Sequence, residues 1–194
     1  LEGAEPCCFV VLNGRFIGYA EDSFTPSAFD IREALVPGEN RLCVIVPRFT
    51  SASWLEDQDF WRFNGLFRSV YIRLEPPVAI RDLSLAPTLD AQLTTGTLSA
   101  EALIASTAER EARITLTCGG KTASRTLRLG AGETRVSLSL AISAPALWSA
   151  EEPNLYTARL HVAEADGAFL GEARQEIGFR RFEVRGGLML LNGR

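Results

Sequence analysis

Short apolar runs separated by turn-forming residues recur along the whole chain. Residues 7–12, Cys-Cys-Phe-Val-Val-Leu, predict a strand, and Asn13-Gly14 predicts a two-residue hairpin turn into a partner strand over 16–20. A polar loop follows at 21–26, then a short strand over 28–31 and one helical turn over 32–35. Pro37-Gly38-Glu39-Asn40 marks a turn. Residues 42–46 are apolar at every position, which predicts a strand covered on both faces, its outer side docked on another domain. Residues 69–74 predict a closing strand, and Pro76-Pro77 sets a boundary, because proline cannot donate within a ladder.

Beyond Val78 strand-like segments come at 80–86, 97–105, 112–118, 123–129, 134–142, 155–163 and 169–178. Gly119-Gly120, Gly130-Ala131-Gly132 and Asp166-Gly167 separate several of them. About seven short strands with turns every ~8–12 residues describe an immunoglobulin-like sandwich. Alternation is clearest where Tyr156, Ala158, Leu160 and Val162 face away from Thr157, Arg159 and His161. That puts His161, the single histidine, on the solvent side. The alanine- and glutamate-rich stretch 100–112 also suits a helix, and its adjacent Leu103 and Ile104 fit neither period.

Composition narrows the class. The 194 residues are 46% hydrophobic and 23% charged, as a folded core requires. A net charge of −4 argues against a nucleic-acid partner. No apolar run approaches the roughly 20 residues of a membrane span. The N-terminus, Leu1-Glu2-Gly3-Ala4-Glu5, lacks a signal peptide's basic and apolar regions, and no initiator Met is present, so the chain is expected to be an excised piece of something longer. Cys7, Cys8, Cys43 and Cys118 form no Cys-x-x-Cys pair and are expected as buried thiols. The compartment stays open, with the cytoplasm favoured.

The candidate chemistry sits at 54–68, Trp-Leu-Glu-Asp-Gln-Asp-Phe-Trp-Arg-Phe-Asn-Gly-Leu-Phe-Arg. Glu56, Asp57 and Asp59 lie among the rings of Trp54, Phe60, Trp61, Phe63 and Phe67. Carboxylate oxygens accept from sugar hydroxyls while a ring covers the C–H face, and clustered hard oxygens also suit a cation. The alternative is a loop whose rings cap the core and whose acids pair with Arg62 and Arg68. Gly130-Ala131-Gly132 is too short for a phosphate loop.

The run Glu56-Asp57-Gln58-Asp59-Phe60-Trp61-Arg62, followed by Gly65-Leu66-Phe67-Arg68, resembles the β-galactosidase branch of glycoside hydrolase family 2. Matching runs follow the family's order: Asn13-Gly14-Arg15-Phe16-Ile17-Gly18-Tyr19, Phe29-Asp30-Ile31, Gly38-Glu39-Asn40-Arg41-Leu42, and Leu147 to Tyr156. The end, Gly178-Phe179-Arg180 and then Leu191-Asn192-Gly193-Arg194, resembles the hand-over into that family's catalytic barrel.

The resemblance implies an all-β chain in three parts. Residues 1–77 would be the C-terminal part of a jelly-roll sugar-binding sandwich, 78–183 an immunoglobulin-like sandwich, and 184–194 the lead into a missing (β/α)8 barrel. Glycoside hydrolysis needs two carboxyl groups about 5–9 Å apart across the sugar. In this family both belong to the barrel, so the fragment is expected to hold no catalytic residue and to be inactive alone. Asp59 matches the aspartate that contacts galactose hydroxyls and a sodium ion. No cofactor is expected in the fragment itself; sodium, with magnesium as a second candidate, belongs to the parent enzyme.

The implied partners are a β-galactoside, bound through the parent enzyme, and the parent's own barrel. The short link Leu129 to Thr134 puts a site completed by a neighbouring subunit in doubt. Trp148 is expected to pack at the sandwich end. A jelly roll has about eight strands and about five are legible here, so open edges predict self-association or partial disorder within 1–77. Two other readings remain: a stand-alone carbohydrate-binding protein with an immunoglobulin-like spacer, and a family 2 glycosidase of other specificity, such as a β-glucuronidase.

Overall fold

The computed structural model describes residues 1–55, 61 and 63–194. They form two compact units, Leu1–Arg73 and Leu74–Arg194. The sheets of both are antiparallel, so the all-β class expected from the pattern is the class observed.

The first unit runs β1 (Ala4–Glu5), β2 (Cys8–Leu12), β3 (Arg15–Ala20), a 3-10 turn (Arg32–Ala34), β4 (Leu42–Ile45), α1 (Ser51–Leu55) and β5 (Gly65–Leu66). Three strands make a sheet in the order β3-β2-β4, and β1 pairs with β5. The period-2 pattern of β2 turns Cys8, Val10 and Leu12 inward, where Ile17, Phe29, Val44 and Val46 pack around Cys8 and Val10. Burying such side chains contributes about 1.5–3 kcal/mol each, which ties the strand to this register. Asn13 and Gly14 both take positive φ, 52° and 79°, as the expected two-residue hairpin requires. Gly18 leaves room for Phe29, whose Cδ1 would lie 2.5 Å from any Cβ placed there.

Several local expectations for this unit are corrected. Residues 28–31 form no strand. Instead the Asp30 carboxylate accepts from the Arg32 backbone N–H at 3.0 Å, a local bond that competes with a ladder and leads into the 3-10 turn. Residues 69–74 are also without a ladder. An apolar, β-branched run extends the chain, but a ladder needs a neighbouring strand, and among the described residues none lies there. The third correction concerns β4, which is not covered on both faces: it is an edge strand, and Cys43 and Ile45 are exposed. Cys43 is therefore not the buried thiol expected, while Cys7, Cys8 and Cys118 are buried.

The second unit holds β6 (Val78–Leu89), β7 (Thr95–Ser106), β8 (Arg110–Cys118), β9 (Lys121–Leu129), β10 (Gly132–Ser143), β11 (Tyr156–Glu164), β12 (Phe169–Ile177), β13 (Phe182–Arg185) and β14 (Leu188–Leu191). Two sheets, β10-β7-β6 and β12-β11-β8-β9, enclose one core. Leu98, Ile104, Ile114, Leu116, Leu129, Leu160, Val162 and Phe179 are fully buried in it. All seven segments expected after Val78 are strands, each within a few residues of its expected ends.

The helix alternative for 100–112 is overturned. In β7 the residues Leu98, Ala100, Ala102 and Ile104 all face the core, with Glu101 turned to solvent. Period 2 buries that whole set at once, whereas a helix would scatter it. Pro87 is tolerated because β6 is an edge strand.

The hairpin β13–β14, with Gly186 and Gly187 at φ 60° and 80°, is an element the sequence reading did not assign. Asn192 ties it down: its Oδ1 accepts from Arg181 N–H at 2.9 Å, and its Nδ2 donates to the Trp148 carbonyl at 3.0 Å.

Candidate functional site

The chemistry-bearing stretch 54–68 is mounted on two anchors within the first unit. On its N-terminal side, Ser53 is buried and exchanges two bonds with Thr50. The Thr50 N–H donates to Ser53 Oγ at 3.0 Å, and the Ser53 N–H donates to the Thr50 carbonyl at 3.1 Å. This reciprocal cap starts α1, whose Trp54 and Leu55 are exposed. The Ser51 hydroxyl donates to Glu21 at 3.4 Å.

On the C-terminal side Asn64 takes φ 64° and Gly65 φ 100°, turning the chain into β5. Asn64 Nδ2 donates to the Arg48 carbonyl at 2.8 Å, which closes the neck of the stretch. Ala4 pairs with Leu66 and Glu5 with Gly65. The Phe67 ring lies over Gly3, where an added Cβ would come within 2.7 Å of it. The Arg68 guanidinium stacks on Phe67 at 5.1 Å and donates to the Phe24 carbonyl at 2.8 Å. Arg68 thus binds backbone carbonyls rather than the acid run.

Between the anchors, Trp61 and Phe63 are both 77% exposed, and their rings lie 6.3 Å apart with planes 24° apart. Asp59, the residue expected to bind sugar and sodium, lies outside the described residues, as do Glu56, Asp57 and Arg62.

Two buried oxygens near the neck, Thr50 Oγ1 and Asn64 Oδ1, have no hydrogen-bond partner among the described residues. The described residues contain no group of three or more potential metal-ligating side chains. His161 stands on the outer side of β11 beside Phe169, as its place in the alternation implies. Trp148 packs where expected, against Gly178 and beneath the Arg180 guanidinium at 4.7 Å.

Titratable groups near the stretch are held in single states. Desolvation, then hydrogen bonds with Glu21 and Cys7, push the Tyr19 hydroxyl well above its usual range. Burial raises the thiols of Cys7, Cys8 and Cys118, so they stay protonated and poorly nucleophilic. The Asp22 carboxyl is held low by hydrogen bonds from Thr25 and then from the Phe24 N–H. A hollow of about 610 Å³, which the sequence reading did not single out, is lined by Arg15, Phe16, Ile17, Asp30, Arg32, Glu33 and Ala34. Its charges are paired within it, Arg15 with Glu33 at 3.3 Å and Arg32 with Asp30 at 2.5 Å.

Residues 1–76 match the glycosyl hydrolases family 2 sugar binding domain, and residues 78–180, more than half of the chain, match glycosyl hydrolases family 2. The chain belongs to glycosyl hydrolase family 2. Among its family 2 relatives, the β-galactosidase of Halalkalibacterium halodurans is 41% identical over 197 residues, covering 100% of this chain and 19% of the relative. The β-galactosidase of Lactobacillus delbrueckii subsp. bulgaricus is 43% identical over 195 residues, covering 99% and 19%. The chain thus spans about a fifth of the length of these curated relatives.

Among solved family 2 structures, a Bacteroides uniformis β-glucuronidase superposes with a TM-score of 0.90 at 22% identity, over 100% of this chain and 25% of that one. A putative β-galactosidase from Bacteroides fragilis gives 0.76 at 21% identity, over 100% of this chain and 32% of that one. At such identities the likeness is one of fold.

Proposed function

We propose that the chain is the non-catalytic N-terminal portion of a retaining β-galactosidase, supplying scaffold and one wall of the sugar site. The observation that carries this reading is the identity of 39–43% to proteins named β-galactosidase across essentially the whole chain. The run Glu56-Asp57-Gln58-Asp59 supports the same specificity.

In this reading Asp59 accepts hydrogen bonds from galactose hydroxyls and supplies an oxygen to a sodium ion, both fitting roles for an ionised carboxylate. The two carboxyl groups that transfer the glycosyl group belong to the rest of the enzyme. The contribution of this chain is rigid placement. The Thr50–Ser53 cap, the Asn64–Arg48 bond and the β1–β5 pair hold both ends of the stretch that carries Asp59.

The test is hydrolysis by the full-length product of the source gene. A β-galactoside is expected to be cleaved with retention and a β-glucuronide not. Asp59→Asn is expected to lower kcat/KM for the galactoside by at least about tenfold, a loss of about 1.4 kcal/mol of transition-state binding. Cleavage of the glucuronide instead, or the absence of any glycosidase activity, overturns the reading.

A further inference from the structure

The rings of Trp61 and Phe63 have no assigned work in that reading, and their geometry suits a ligand. At 6.3 Å and 24° they are near-parallel but displaced, since rings stacked face to face would lie closer. Displacement leaves each ring an open face, and both residues are 77% exposed. Exposed large aromatics side by side are costly unless something covers them.

The mount is firm. Phe63 immediately precedes Asn64, which is pinned to Arg48 at 2.8 Å, and Gly65 enters the β1–β5 ladder. The surroundings are hydroxyl, amide and carboxylate groups, not a further apolar surface: Ser51 and Glu21 bond to each other, and Asn64 brings its amide. A flat apolar pair with polar neighbours suits a pyranose, whose C–H face lies on the rings while its hydroxyls point sideways.

Position selects which sugar. Trp61 follows Asp59 by two residues, at most about 7 Å of extended chain, and Phe63 by four, at most about 14 Å. If Asp59 holds the galactose, the two rings reach the next ring of the substrate. We propose that Trp61 and Phe63 form a stacking platform for the sugar on the leaving-group side of a β-galactoside. This rests on the proposed placement of Asp59 at the galactose.

Saturation-transfer NMR on the 194-residue chain tests it, with lactose and methyl β-galactoside as probes. Lactose is expected to bind more tightly, with saturation reaching its glucose-ring protons. Trp61→Ala and Phe63→Ala are each expected to weaken lactose binding by about three- to tenfold, the share of one ring's covered area. Trp61→Phe should recover most of the loss. Both side chains are exposed, so unchanged circular dichroism and urea midpoints are expected of the variants.

The platform is overturned if lactose binds no better than methyl β-galactoside, or if both alanine variants bind lactose like the wild type. Its failure is separable from that of the functional reading. A full-length protein that needs Asp59 for galactoside cleavage, combined with lactose binding indifferent to Trp61, removes the platform alone. Glucose-ring saturation in the chain, combined with a full-length protein that cleaves no galactoside, removes the β-galactosidase assignment alone.

Discussion

Asn64 reaches back sixteen residues and donates through Nδ2 to the carbonyl of Arg48 at 2.8 Å. The contact makes a loop of the acid- and aromatic-rich stretch, fixing its exit next to its entrance. Asn64 also holds φ 64°, a conformation that asparagine tolerates and most residues do not. The two contributions separate by mutation. Asn64→Gly keeps the backbone and loses only the bond, an expected cost of about 1 kcal/mol. Asn64→Ala loses the bond and adds about 1–2 kcal/mol of backbone strain. Urea unfolding of both variants checks the order, and equal midpoints would remove the strain argument.

Gly178 is expected to be intolerant of a side chain. A Cβ there would sit 2.8 Å from both Cβ and Cγ of Trp148. Trp148 cannot retreat freely, because its N–H donates to the Phe179 carbonyl at 2.9 Å and its carbonyl accepts from Asn192 at 3.0 Å. Gly178→Ala should therefore cost about 1–3 kcal/mol, the usual range for overpacking. Thermal unfolding measures it; a midpoint equal to that of the wild type would mean that the indole moves at no cost.

One face of the β3-β2-β4 sheet is apolar and open. Register places Phe9 beside both Tyr19 and Ile45, and Val11 beside both Phe16 and Cys43. Phe16 is 60% and Ile45 51% exposed. A contiguous patch of this kind favours association. Sedimentation velocity of the chain is expected to show species that grow with concentration. The double variant Phe16→Lys/Ile45→Lys should shift them toward monomer, and a wild-type chain that stays monomeric at every concentration contradicts the expectation.

Stability should fall on the alkaline side. Burial raises the thiols of Cys7, Cys8 and Cys118 in the folded chain. Through the ordinary thiol range near ~8.5 the unfolded chain loses these protons first, so it binds fewer than the folded chain and the slope of stability against pH is negative. This contribution is complete below that range and is lost as pH rises through the folded values. Urea midpoints between neutral and alkaline pH test it, with Cys118→Ala expected to flatten the slope.

Much of the fold was legible because its causes are local. The Asn13-Gly14 turn needs only two residues with positive φ, and the strands after Val78 announce themselves by alternation and by Gly-rich turns. Family membership was legible for a related reason: its motifs are tie points between distant elements. Asn13 Nδ2 donates to Asn40 Oδ1 at 2.8 Å across 27 residues, and Asn192 does the same for the Trp148 segment. Such side chains keep a recognisable identity because no other residue makes the same bonds at the same backbone angle.

The candidate site was legible only as composition. Carboxylates next to rings named the chemistry, but no period said which rings stay open. That depended on the Asn64–Arg48 bond and the β1–β5 pairing, contacts between residues sixteen and about sixty positions apart. The same limit explains the errors at 28–31 and 69–74. An apolar, β-branched run sets an extended backbone, but whether it becomes a strand depends on a neighbour that supplies the other half of the ladder. The sequence by itself determined the strand-rich class, the turns, the boundary near Pro76-Pro77 and the family. Only the tertiary structure decided which strands lie at edges, which apolar faces stay bare and how the acid- and aromatic-rich stretch is held, because each of these is a property of pairs of segments brought together by folding.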